Sequence, residues 1–108
     1  MTTILSKNID IPLSKISEFC HKWQIVEFSL FGSVLRDDFN SNSDIDCLVK
    51  FSDEANWSLF DRVKMKEELT KIFTRKVDIV NRKLIENSQN WLRKQEILST
   101  TQIIYVTQ

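Results

Sequence analysis

Glycine and proline are almost missing from this chain: 108 residues hold one of each, where average usage would give roughly seven or eight glycines. That scarcity excludes collagen-like and linker-like architectures, and the 42% hydrophobic and 28% charged fractions exclude a disordered chain. Cysteine is scarce too. Cys20 and Cys47 form no C-x-x-C or Cys/His zinc spacing, so disulfide scaffolds and zinc modules are out. Both read as small buried hydrophobes in a reduced compartment. Surplus charge of either sign is absent, since fifteen basic and fifteen acidic residues give a formal net charge of +0. The balance argues against direct nucleic-acid binding and against an anionic membrane surface, because both rest on excess positive charge. No apolar run approaches the roughly 20 residues that cross a bilayer, and the start, Met1 to Lys7, lacks the features of a secretory signal. The expectation is a cytoplasmic protein with one domain over 1–108 and no membrane association.

A lone histidine, His21, leaves one candidate for any mechanism that needs a His base. It falls inside a predicted helix beside Lys22, where a solvated face is the better reading. That helix runs over about 12–23, because Ile16, Phe19, Cys20 and Trp23 recur at i, i+3, i+4 and i+7. Pro12 sits near its first turn, where a missing N–H costs nothing. Residues 25–31 are β-branched and aromatic, with Val26, Phe28 and Leu30 on one face, and predict a strand. Gly32-Ser33 turns the chain, Val34-Leu35-Arg36 opens a short helix, and Phe39 to Ser43 is turn chemistry.

Alternation returns over 44–51, with Ile45, Cys47, Val49 and Phe51 to one side of a second strand. A longer helix over 57–73 uses Leu59, Phe60, Val63, Met65, Leu69, Ile72 and Phe73, a stripe that drifts round the axis. Its basic residues Arg62, Lys64, Lys66 and Lys71, with Arg75 and Lys76 beyond, alternate with Asp61, Glu67 and Glu68 and read as a solvated, salt-laced face. Trp57, Phe60 and Trp91 read as core or interface. A third strand follows over 77–80, then a helix over 88–98 with Trp91, Leu92 and Leu98 inward, and a closing strand over 103–106. The alternation predicts one sheet with helices packed against it, and the short connections predict that it is mixed: three to four strands flanked by helices, in the order αβαβαβα.

The chemistry concentrates in three places. Ser43-Asp44-Ile45-Asp46 opens the second strand, and side chains at i and i+2 leave a strand on one face. Two carboxylates about 5 Å apart repel by roughly 3 kcal/mol at an effective dielectric near 20, so a divalent cation is the simplest offset. In Val77-Asp78-Ile79 the third strand supplies another carboxylate, opposite in direction to its apolar neighbours. If the two strands are adjacent, Asp78 completes a trio of hard oxygen ligands suited to Mg²⁺ or Mn²⁺. Two such ions about 4 Å apart hold a triphosphate for in-line displacement. Gly32-Ser33, the one place where glycine is used, lets backbone N–H groups approach a phosphate, with the Ser33 hydroxyl and Arg36 as further donors. D-x-D alone arises by chance about 0.4 times in such a chain. The ordered set is what carries weight.

Leu30 to Phe39, Ser43 to Phe51 and Arg75 to Val80 resemble the minimal nucleotidyltransferases of the DNA polymerase beta-like superfamily, whose signature is G-S, about ten residues, then D-x-D. The likeness is close over roughly 24–80, and it is nearest to the small antitoxin members encoded beside HEPN-domain toxins. The resemblance implies an α+β fold, the minimal nucleotidyltransferase fold, with two Mg²⁺ ions and a nucleoside triphosphate, usually ATP. It implies that Gly32 and Ser33 hold the triphosphate, with Arg36 matching the arginine after G-S. Asp44 and Asp46 would bind both metals, and Asp78 would bind the catalytic metal and assist deprotonation of the acceptor hydroxyl. The implied reaction moves AMP from ATP to a tyrosine hydroxyl of the partner toxin, an RNase, and so neutralises it. Two positions depart from the pattern: Asp37 replaces the usual glycine after the arginine, and Cys47 replaces a larger aliphatic.

Two other readings stay open. A degenerate transferase would neutralise its toxin by binding alone, and a nucleotidyltransferase could use a small-molecule or RNA-end acceptor. The intact carboxylate trio argues against the first. Neutral charge and a chain too short for an added acceptor domain argue against the second, and favour a protein that brings its own acceptor surface.

Overall fold

The computed structural model describes residues 3–5, 10–35 and 43–107. Thr3–Leu5 (β1) pairs antiparallel with Asp10–Pro12 (β2) in a small ribbon that no periodicity had signalled. The first helix, Leu13–Lys22 (α1), starts one residue later than predicted, so Pro12 is its extended N-cap. It buries Ile16, Phe19 and Cys20, and His21 is exposed. Gln24, at φ 55, reverses the chain into Ile25–Phe31 (β3). Gly32–Leu35 then forms a 3-10 turn in place of the expected short helix. Arg36, and the turn expected over Phe39 to Asn42, lie outside the described residues.

Four strands make the main sheet: β3, Ile45–Phe51 (β4), Val77–Asn81 (β5) and Gln102–Val106 (β6), in the order β5-β4-β3-β6. β3 runs antiparallel to both β4 and β6, whereas β4 and β5 are parallel. The sheet is mixed, as the short connections imply. A parallel pair needs a crossover, and Leu59–Phe73 (α2) provides it. Ser58 and Asp61 close a capping box at its start: the Asp61 N–H donates to Ser58 Oγ at 3.2 Å, and the Ser58 N–H donates to Asp61 Oδ2 at 2.9 Å. Thr74, at φ 54, ends it.

The drifting stripe of α2 resolves into two faces. Met65, Leu69 and Phe73 are buried, while Leu59, Phe60 and Val63 are 78%, 81% and 50% exposed. At 3.6 residues per turn, nine residues place Phe60 about half a turn from Leu69, so both cannot face the sheet. The inward placement expected for the first turn is therefore corrected. A similar correction applies after β5. Arg82–Glu86 (α3), capped by Asn81, precedes Trp91–Ser99 (α4), so the helix expected over 88–98 starts later and has an unanticipated companion. Within α4 it is Ile97 that is buried and Leu98 half-buried; Trp91 and Leu92 are exposed. They lie more than about 100° round the axis from Ile97.

Strand alternation sorts the core. Phe28, Leu30, Ile45, Cys47, Val49 and Val77 face α1 and α2, with Ile16, Phe19, Met65 and Leu69 across from them. On the other face Leu48, Ile85 and Ile97 form a smaller cluster with Phe31, Val80 and Leu98. An edge-to-face pair, Trp23 and Trp57 at 5.1 Å, ties the end of α1 to the start of the crossover. Trp57 Nε1 donates to the Trp23 carbonyl, and Trp23 Nε1 donates to Glu68 on α2. Among the described residues no helix is long and apolar enough to cross a membrane.

Candidate active site

The carboxylates lie on the face of the sheet that carries the smaller cluster. Asp46 belongs to the same side of β4 as Leu48, and Asp78 to the same side of β5 as Val80. The parallel register sets Asp46 directly beside Asp78, while the antiparallel register sets Phe31 beside Asp46 on the other flank. Three neighbouring strands thus bring Phe31, Asp46 and Asp78 to one level. The pairing of the second and third predicted strands, on which the carboxylate trio depends, is present.

Gly32 follows Phe31 with φ +75, in the left-handed region that L side chains rarely adopt. A Cβ added there would lie 2.5 Å from Asp46 Oδ2. The carboxylate therefore rests against bare backbone, and both the conformation and the contact require glycine. Asp44 stands just ahead of β4, exposed at its mouth, two residues before the half-buried Asp46. Asp78 is exposed on an edge strand. The side chain of Ser33, and all of Arg36, lie outside the described residues. Among the described residues no three His, Cys, Asp or Glu side chains are drawn together as a ready-made metal shell.

Arg75 joins this region in a way its charge did not announce. Rather than a solvated residue on a salt-laced face, it is half-buried and donates from Nη1 to the Ser43 carbonyl at 3.2 Å. Next to it the Ile45 N–H donates to the Lys76 carbonyl at 3.0 Å. The segments entering β4 and β5 are strapped together where the carboxylates emerge. Behind them Cys47 is fully buried, and burial, helped by the charges of Asp46 and Asp78, pushes its thiol well above the ordinary range. It is a packing residue, as the sequence reading held.

A profile of the nucleotidyltransferase domain matches residues 13–104. This chain belongs to that nucleotidyltransferase family. It is 36% identical over 92 residues to an inferred protein adenylyltransferase of Methanocaldococcus jannaschii, covering 85% of this chain and 92% of the relative. The fold of this nucleotidyltransferase also matches solved structures. One is a toxin–antitoxin complex with AMP-PNP, with a TM-score of 0.67 and 22% identity over 91% of this chain and 76% of that one. Another is a tri-AMPylated HEPN toxin of Shewanella oneidensis in complex with its MNT antitoxin, with a TM-score of 0.58 and 21% identity over 88% and 70%.

The nucleotidyltransferase has one further feature at this level. A cleft of about 500 Å³ opens beside Gly32, between Phe31 and Leu35 on one wall and Arg93, Glu96, Ile97 and Thr100 on the other. Nothing in the spacing of α4 pointed to it, because the sheet, not the helix, brings those residues to the glycine.

Proposed function

We propose that this chain is a Mg²⁺-dependent nucleotidyltransferase antitoxin, acting in the cytoplasm, that moves AMP from ATP to a tyrosine hydroxyl of a HEPN-family RNase toxin and so neutralises it. The observation that carries this reading is the alignment of Asp46 with Asp78 beside the bare backbone of Gly32. The family membership supports the reaction class, and the adenylyltransferase relative and the AMPylated toxin complex support the acceptor.

The donor set suits magnesium by its chemistry: carboxylate oxygens, those of Asp46 and Asp78 in register on one face. Asp44, Asp46 and Asp78 would hold the ions, which when bound supply charge neutralisation at the phosphates. Gly32 and Ser33 offer backbone N–H groups to the triphosphate, with Arg36 as a further donor. Asp78, open to solvent at the sheet edge, takes the proton of the acceptor hydroxyl. The freed oxygen bonds to the α-phosphorus as the bond from that phosphorus to the bridging oxygen breaks, and pyrophosphate leaves with the electron pair. Exposure of Asp78 suits an acceptor carried by another protein.

Incubation with ATP, Mg²⁺ and the toxin encoded beside it should raise the toxin's intact mass by one or more AMP units. Asp44→Asn and Asp46→Asn should abolish the gain while circular dichroism stays unchanged. Undiminished transfer by both variants would remove the catalytic assignment, and rescue of toxin-arrested cells by Asp44→Asn would leave binding alone as the mode of neutralisation.

A further inference from the structure

We infer that the cleft beside Gly32 is the nucleoside pocket, and that Arg93 and Glu96 on α4 read the base of the bound triphosphate. The inference rests on the proposed role of Gly32 at the phosphates and adds the part of the substrate which that role leaves unplaced.

Three observations carry it. The first is position. Gly32 follows the last residue of β3, and the cleft lies between this end of β3 and α4. Asp78 lies on β5, on the far side of β4. A triphosphate at Gly32 thus has one route leading to the cleft and another leading to the carboxylates. The nucleoside and the acceptor are kept on opposite sides of the reacting phosphate.

The second is size and lining. About 500 Å³ falls within the roughly 300–1,000 Å³ of small-molecule sites. Phe31, Leu35 and Ile97 present aromatic and aliphatic surface to a flat ring, the usual composition of such a site, with a few polar groups to fix orientation.

The third is the pair of polar groups. Arg93 and Glu96 are three residues apart on α4, hence neighbours on its surface, and both are exposed. Among the described residues, ion pairs join Lys22 to Glu68 and Arg82 to Glu27 and Glu86; none joins Arg93 to Glu96. The guanidinium offers donors only and the carboxylate acceptors only. Together they match the edge of a nucleobase, which carries both a ring or carbonyl acceptor and an N–H donor. Thr100 is otherwise engaged, its hydroxyl donating to the Glu96 carbonyl at 2.7 Å.

The test is calorimetric titration with Mg²⁺ and three probes: a non-hydrolysable ATP analogue, the GTP analogue and inorganic tripolyphosphate. Arg93→Ala/Glu96→Ala should weaken the ATP analogue about tenfold, the scale of one or two lost charge-assisted hydrogen bonds, and leave tripolyphosphate unchanged. Glu96→Gln should change the ratio of ATP to GTP affinity by about fivefold. Both residues are exposed, so circular dichroism should report an intact fold. Wild-type affinity for the ATP analogue in the double variant overturns the inference while leaving AMP transfer standing. Equal weakening of tripolyphosphate assigns the pair to the phosphates and overturns it as well. Failure of the wild type to bind any probe removes the phosphate role of Gly32 and the pocket with it.

Discussion

Asp46 fills the space that a side chain on Gly32 would need. Oδ2 of the aspartate lies 2.5 Å from where a Cβ would stand, and the glycine holds φ +75. Gly32→Ala therefore meets two obstacles, a left-handed backbone costing about 1–2 kcal/mol and a collision with a carboxylate. The loss of activity should exceed the loss of stability, since a shift of about 1 Å at a reacting centre can cost about 100-fold in rate. Single-turnover AMP transfer and urea unfolding, measured on the same preparation, separate the two effects.

Asp78 faces Asp46 across the parallel ladder, and like charges directly opposite destabilise a sheet. Asp78→Asn should abolish transfer yet leave the unfolding free energy unchanged or higher by about 0.2–1 kcal/mol. Mg²⁺ with the ATP analogue should raise the melting temperature of the wild type more than that of this variant, because a ligand stabilises only the state that binds it. Thermal scans with and without the metal chelated measure both. A large fall in the variant's metal-free stability would contradict this account.

Glu68 links α2 to the end of α1. Partial burial works against its charge, but hydrogen bonds from Lys22 Nζ at 2.7 Å and Trp23 Nε1 at 3.0 Å outweigh it and hold the carboxyl below its ordinary value of 4.5. A carboxyl lowered in the native state contributes stability above its unfolded value and loses it as pH falls through the native one. Wild type should exceed Glu68→Gln in melting temperature near neutrality, and the gap should narrow below pH 4.5. A gap that persists in acid would mean that the contact acts by packing rather than by charge.

Neither thiol should react in the native protein. Burial pushes Cys20 up to about 12, and Cys47 is also raised well above its usual value. Because the thiolate is the reactive form, a disulfide reagent at pH 8 should label both residues in urea and neither without it. Rapid labelling of native protein would show that the sheet opens locally at β4 or α1.

Legibility followed the length of the pattern. Asp46 and Asp78 could be placed because a strand alternates with period two, and Ile45, Cys47 and Val49 fix which side is which. The parallel register of the paired strands then aligns the carboxylates. Ile16, Phe19 and Cys20 were equally plain on α1. Short elements left no such trace: the five residues of α3 complete little more than one turn, and β1 and β2 have three residues each. Leu59 and Phe60 misled for another reason. Apolar character marks a residue that gains from burial, but it does not say which element does the burying, and on α2 the sheet is already matched by Met65, Leu69 and Phe73. Arg75 was missed because a charged residue among lysines carries no mark of a tie to a distant carbonyl. The cleft beside Gly32 was invisible because its two walls come from chain segments more than fifty residues apart.

The ladder between β4 and β5 makes the chemistry depend on odd and even. One residue added at the head of β5 would swing Asp78 round to the packed helices and push an aliphatic neighbour into water, two faults from one insertion. A whole turn added to the α2 crossover would leave that parity alone. Drift in length is therefore tolerable in the helix and lethal in the strand, and a shuffled or grafted version of this domain must keep the register of Val77 and Asp78 against β4 even where it lengthens α2 by whole turns.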